Sequence, residues 1–118
     1  MTKCMNDKYS CPMEATIDLI GGKWKALILW HLSDKILRFS QLQKLIHQAT
    51  PKMLTQQLRD LENSGLIIRK VYPVVPPKVE YYLSDFGKSM WPILESMCSW
   101  GKNYLKIKEK ESDLKEII

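Results

Sequence analysis

A mainly helical domain carrying one small antiparallel β-hairpin is the fold class this sequence predicts, and three observations predict it. Residues 51–65 read as an amphipathic helix with a strong start and a strong stop. After Gly65 the apolar pattern changes from a helical to an extended period, and Pro73-Val74-Val75-Pro76-Pro77 then interrupts it. From Ser84 a helical pattern returns and runs to about residue 110. With 118 residues the chain can build one hydrophobic core but not two.

In chain order, residues 1–10 are polar and predict a flexible arm ahead of a domain spanning 11–110. Pro12 suits the first position of a helix whose Met13, Thr16, Ile17 and Ile20 share a face, with Gly21-Gly22 as its end. Lys23 to Leu32 is apolar nearly all round, as a central buried helix should be. Leu37-Arg38-Phe39 is a short extended piece. Ser40-Gln41-Leu42-Gln43 has the pattern of a capping box, opening a helix with Leu42, Leu45 and Ile46 inward. A tight connection, His47 to Thr50, leads into the helix at 51. There Thr50 is the cap, Pro51 is the first residue, Leu54, Leu58 and Leu61 form the buried stripe, and Gly65 ends the helix. Leu66 to Tyr72 and Lys78 to Leu83 read as two antiparallel strands joined by a stiff proline loop that cannot pair in a sheet. Ser84 can cap the last helix, and residues 111–118 are expected to fray.

Charge is unevenly distributed. Residues 23–78 hold ten Lys/Arg and three acids, a local balance of +7, whereas residues 85–118 hold six of each sign. A basic middle and a neutral end suggest a polyanion-binding head and a tail with another task. No run of 18 apolar residues and no signal sequence is present, which predicts a cytoplasmic protein with no membrane segment. The three cysteines, Cys4, Cys11 and Cys98, have no metal-ligand spacing, and their odd number argues against a disulfide framework. With two histidines, no nucleophile–base pair and no phosphate loop, neither an enzyme nor a cofactor or metal site is expected.

Two helices at a tight turn followed by a hairpin with a projecting loop predict a winged helix-turn-helix, in which the second helix enters the major groove. Lys52, Thr55, Gln56 and Arg59 lie on its polar face. Gln and Arg are the residue types that pair in bidentate fashion with adenine and guanine edges. Arg38, Ser40 and Gln41 begin the preceding helix, where they can meet phosphate, with helix capping an equal alternative for Ser40. Lys78 is the strongest candidate on the wing, with Arg69 and Lys70 weaker because strand residues alternate faces. Lys23 and Lys25 fit either phosphate contact or plain solvent exposure, and Trp24, Trp30 and Tyr81 fit the core.

The last helix carries two apolar stripes, Met90, Leu94, Met97 and Gly101, and Ile93, Met97, Trp100 and Tyr104. Covering its own core takes one stripe, so the excess predicts an identical chain as partner, with Met13 and Ile17 completing the interface. Cys11 directly precedes Pro12, at a helix N-terminus where unpaired N–H groups stabilise a thiolate, and is the candidate redox sensor. Cys98 lies amid the stripes as a packing residue, and Cys4 could resolve an oxidised Cys11.

Several motifs together resemble the HxlR-type winged helix-turn-helix regulators of bacteria, from Cys11 to about Tyr104. They are Cys11-Pro12, Gly21-Gly22-Lys23-Trp24, Arg38-Phe39-Ser40-Gln41-Leu42, Lys52 to Leu58 with Leu61-Glu62 and Gly65-Leu66, Val75 to Tyr81, and Trp100-Gly101. Cys4 and Cys98 fall outside the family pattern. The resemblance implies a homodimer that binds an inverted repeat of double-stranded DNA near a promoter. It implies mostly repression, sometimes activation, of neighbouring genes concerned with aldehyde, quinone or oxidant stress. It also implies a sensing role for the cysteine at position 11, as in several members. Two other readings fit the same residues. One is a regulator switched by a small ligand, of no class the residues specify, in the dimer crevice. The other is a winged helix that binds an acidic protein, against which the polar face of Lys52, Gln56 and Arg59 argues.

Overall fold

The computed structural model describes residues 8–117, so Cys4 and most of the expected N-terminal arm lie outside the described residues. The chain divides into two compact units, 1–88 and 89–118. In the first, Pro12–Ile20 forms α1, with Pro12 at its start, Cys11 extended before it and no residue buried. Residues 8–10 each make a side-chain contact. The Tyr9 hydroxyl donates to Asp18 at 2.6 Å, Lys8 lies 3.7 Å from the same carboxylate, and Ser10 donates to Glu14 through both its N–H and its hydroxyl. Their partners lie on the helix that follows, which the composition of the segment alone cannot show.

Helix α2, Lys25–His31, buries Ile28 and Leu29 but leaves Leu27 exposed. The expected all-round burial is thus one-sided, because this short helix packs against α4 and α3. Helix α3, Phe39–Leu45, starts earlier than the capping pattern suggests. Leu37 exchanges backbone hydrogen bonds with Tyr81 at 3.0 and 2.8 Å, and Arg38 is the last extended residue. The helix therefore opens after Arg38, whose N–H donates to the Gln41 side chain at 2.8 Å, and Ser40 sits inside the first turn instead of capping it. Gln43, freed from that role, donates to the carbonyls of Ala49 at 2.7 Å and Ile46 at 3.4 Å, and so ties the end of α3 to the turn. Leu42 and Ile46 are buried as expected; Leu45 is exposed.

Helix α4, Pro51–Asn63, has the expected start and stop. Thr50 Oγ1 accepts from the Met53 N–H at 3.1 Å. At the other end Gly65 has φ +80°, Leu66 N–H bonds the Leu61 carbonyl, and Gly65 N–H bonds the Glu62 carbonyl. This left-handed ending satisfies carbonyls that the helix leaves without partners. Leu54, Leu58 and Leu61 are buried. Thr50→Ala is expected to cost about 1 kcal/mol, read as a lowered midpoint in urea denaturation at constant slope.

Strands β1, Ile67–Tyr72, and β2, Lys78–Leu83, pair antiparallel from Ile67 opposite Leu83 to Tyr72 opposite Lys78. Alternation puts Ile67, Arg69 and Val71 with Val79, Tyr81 and Leu83 on one face, and Ile68, Lys70 and Tyr72 with Lys78, Glu80 and Tyr82 on the other. The first face supplies the buried Ile67, Tyr81 and Leu83.

One continuous helix from 85 is replaced by two. Asp85–Lys88 is the single turn α5, and Trp91–Ile117 is α6. Pro92 has no N–H for the Lys88 carbonyl, and its ring would collide with it, so the helix breaks there. Ser84 Oγ accepts from the Gly87 N–H at 3.0 Å and donates to the Gly65 carbonyl at 2.5 Å, while the Ser84 N–H donates to the Leu66 carbonyl at 3.1 Å, fixing α5 on the end of the hairpin. Gly87 is required for that approach, since a Cβ there would stand 2.0 Å from the Leu66 carbonyl oxygen. Gly87→Ala must move backbone, and a loss of roughly 2 kcal/mol is expected in thermal or urea unfolding. An unchanged midpoint would show that this junction has slack.

In the second unit α6 spans 27 residues, about 40 Å. It continues past residue 110 to Ile117. No Gly or Pro follows Gly101, Lys and Glu favour helix, and Lys108 pairs with Glu111 at 3.3 Å. Among the described residues no helix is long and apolar enough to cross a membrane.

Candidate nucleic-acid interface

The leucine stripe of α4 determines what its other face can do. With Leu54, Leu58 and Leu61 inward, Lys52, Gln56 and Arg59 are exposed on the opposite side and Thr55 is half-buried beside them. Among the described residues Lys52 and Arg59 make no ion pair, so both cations are available to an outside anion or base edge. Thr55 donates its hydroxyl to the Pro51 carbonyl at 2.8 Å, leaving its methyl and one acceptor site outward. Gln56 Nε2 donates to Asp60 at 3.1 Å, and Asp60 lies 3.8 Å from Lys25 Nζ. Asp60 therefore orients Gln56 and engages Lys25, which links α2 to α4. Lys23 in turn lies over the ring of buried Trp24, 4.7 Å from its centroid.

Arg69 belongs with this group. It shares a concavity of about 310 Å³ with Thr55, Leu58, Arg59, Glu62 and Tyr81, between α4 and the hairpin. Sequence reasoning ranked Arg69 below Lys78, yet Arg69 is the strand cation on the α4 side. The signal was available: Arg69 lies two residues after buried Ile67, so counting by two from Ile67 puts it on the same face.

Lys78 occupies the other face and is engaged there. Its Nζ is 3.5 Å from Glu80 and 5.0 Å from the centroid of the Tyr72 ring, while Lys70 lies 4.9 Å from the same centroid. The Tyr72 hydroxyl donates to Glu80 Oε1 at 2.8 Å. That bond first, then the positive charges of Lys78 and Arg38, holds the Glu80 carboxyl below the usual carboxylate range. Because the folded-state value is depressed, these bonds stabilise the hairpin above the ordinary carboxylate pKa and are lost as pH falls through the lowered one. Arg38 and Ser40 are exposed at the start of α3, with the Gln41 side chain bonded back to Arg38.

Of the remaining candidates, Met13, Ile17, Met97, Trp100 and Tyr104 are exposed, between 45% and 71%. Met90 and Leu94, which spacing groups with them, are buried at 9% and 3%. Gly101 is half-buried with open space around its Cα, and Trp100 and Tyr104 stack at 5.8 Å. Cys11 and Cys98 are free thiols, both half-buried. His31 is half-buried in a concavity shared with His47, Trp24 and Leu27; burial, then the charge of Lys35, lowers its pKa. Among the described residues no group of three or more His, Cys, Asp or Glu is placed to hold a metal ion.

Residues 19–109, most of the chain and all of the elements from α2 to β2, match the family described as HxlR-like helix-turn-helix. The chain belongs to that family. An HTH-type transcriptional regulator of Methanothermobacter thermautotrophicus is 54% identical over 99 residues, 84% of this chain and 76% of that one. The crystal structure of the HTH-type regulator YtcD superposes with a TM-score of 0.77 at 52% identity, covering 80% of this chain and 96% of YtcD. The redox regulator HypR in its reduced form superposes with a TM-score of 0.79 at 43% identity, covering 84% and 98%. This HxlR-like chain is thus a winged helix-turn-helix transcriptional regulator, a DNA-binding protein and not an enzyme.

Proposed function

We propose that this HxlR-like regulator binds an inverted-repeat operator as a homodimer and represses transcription beside it, with Cys11 as its redox or electrophile sensor. The single observation that carries operator reading is the outward face of α4. Lys52, Gln56 and Arg59 project together opposite a fully buried leucine stripe, with Thr55 between them. In a groove, Arg59 and Gln56 would take base edges, and Lys52 would take a neighbouring phosphate. Arg69 is added to the interface by its place beside Arg59, and Arg38, Ser40, Gln41 and Lys78 would contact the flanking backbone.

Exposed apolar surface supports the dimer. On α6 the exposed Ile93, Met97, Trp100, Tyr104 and Ile107 recur at helical spacing, and on α1 Met13 and Ile17 are exposed. A row of large apolar side chains along one helix is rarely left uncovered in an isolated chain. A two-fold dimer would present two copies of α4 to successive turns of one DNA face, the arrangement an inverted repeat matches. For the sensor, support comes from the position of Cys11 immediately before α1 and from the similarity to HypR, itself a redox regulator.

A gel-shift titration on the intergenic DNA beside the protein's own gene tests this reading, at two salt concentrations, reduced and then diamide-treated. Binding confined to one short inverted repeat and weakened by salt is expected. Sequence-indifferent binding would sink the operator reading. Oxidant treatment should change the affinity of the wild type and leave Cys11→Ser unchanged; a normal response in that variant removes the sensor.

A further inference from the structure

On the hairpin face turned away from α4, a carboxylate stands in the middle of a basic wing, where repulsion from phosphate should exclude it. Register makes the cluster: Lys70 lies opposite Glu80 and Tyr72 opposite Lys78, so all four side chains share one face of two neighbouring pairs. Tyr72 is the centre. Its ring is flanked by two ammonium groups, Lys70 at 4.9 Å and Lys78 at 5.0 Å, and its hydroxyl donates to Glu80 at 2.8 Å. Glu80 closes the set with its second oxygen, 3.5 Å from Lys78 Nζ. These are the last two pairs on this face of the ladder before the Pro73–Pro77 loop, in which the Val74 N–H bonds back to the Tyr72 carbonyl at 2.8 Å. Val75 in that loop is wholly exposed, so the loop finds no apolar anchor there and takes its orientation from the end of the ladder.

We propose that Tyr72 and Glu80 are positioning residues for DNA recognition: they orient Lys78 and Lys70 and hold the wing tip at the angle at which it meets the duplex. The proposal rests on the operator-binding reading above and deepens it. Glu80 costs the wing one negative charge near the phosphates, and that cost is offset by ordering two long cations whose free rotamers would otherwise be lost on binding. The half-buried carboxylate, with its hydroxyl and ammonium partners, is built for order and not for charge.

The sign of the effect separates positioning from plain electrostatics. If Glu80 were only a surface charge, deleting it would tighten every DNA complex. As a positioning residue, Glu80→Ala weakens binding to the inverted repeat by roughly five- to tenfold while sequence-indifferent binding stays level or tightens. Tyr72→Phe keeps the ring, the charge balance and the fold, and loses only the hydroxyl. It should weaken specific binding by about threefold with the salt slope unchanged. Glu80→Gln retains an acceptor for the Tyr72 hydroxyl and should recover part of the loss.

The measurement is fluorescence anisotropy with the wild-type inverted repeat and a scrambled duplex at two salt concentrations, for wild type and the three variants. A falling ratio of specific to non-specific affinity in Glu80→Ala and Tyr72→Phe supports the proposal. Specific affinity equal to or above wild type in Tyr72→Phe overturns it, even should Glu80→Ala fail to fold. A wild type without preference for the inverted repeat overturns both this proposal and the operator reading, whereas a selective wild type with unaffected variants overturns the proposal alone.

Discussion

Leu58→Ala is expected to lower folding stability by roughly 2–5 kcal/mol, the largest effect of any single substitution considered. Leu58 is 2% exposed and stands midway between Leu54 and Leu61, which are fully buried. Helix α4 packs on β1 and α2 through this stripe. Truncation forfeits the transfer of one methine and two methyl groups from water and leaves a void that two helices and a strand can only partly close. Domains of this size are typically stable by about 5–15 kcal/mol, so the loss is a substantial share of the total. Urea denaturation followed by far-ultraviolet circular dichroism checks it. A shift below about 1 kcal/mol would mean that α4 is held by something other than its leucines.

Arg59→Ala should do the converse, leaving the fold untouched and weakening recognition. Arg59 is exposed and, among the described residues, forms no ion pair, so its loss removes no native interaction of that kind. One bidentate base contact contributes about 1–3 kcal/mol of discrimination, so the variant should lose roughly ten- to a hundredfold in affinity for the operator. Specificity should relax at the one base pair it reads. Lys52→Ala offers the comparison: removing an ammonium that meets phosphate should weaken all duplexes alike and lower the salt slope by about one. Titrating both variants against single-base operator variants distinguishes the roles. A uniform loss for Arg59→Ala would move Arg59 from base reading to backbone contact.

Much of this interface is legible in the chain because its signals are local. Thr50, Pro51 and Gly65 mark the ends of α4 through hydrogen bonds and backbone conformations that span a few residues. The 3.6-residue recurrence of Leu54, Leu58 and Leu61 then dictates that Lys52, Gln56 and Arg59 point outward. The hairpin follows from the switch to β-branched and aromatic residues around a proline loop. Where the reading missed, a distant residue had intervened. Ser40 and Gln43 have the spacing of a capping box. Tyr81, more than forty positions later, holds Leu37 extended, and the helix starts after Arg38.

By itself the sequence determined the bounds of α4, its outward face, its charge and the family to which the chain belongs. These depend on hydrogen-bond spacing and on apolar periodicity, both set within one or two turns. Only the tertiary structure decided which cations share a surface. Arg69 and Arg59 come from different elements and meet because the buried faces of α4 and β1 pack together. Lys78 is withheld from that surface because strand alternation turns it toward Tyr72 and Glu80. The division of the last helical segment into α5 and α6 combines the two. Pro92 breaks the helix from within the sequence, but the Leu66 carbonyl, pressed against Gly87, fixes where its first turn must lie.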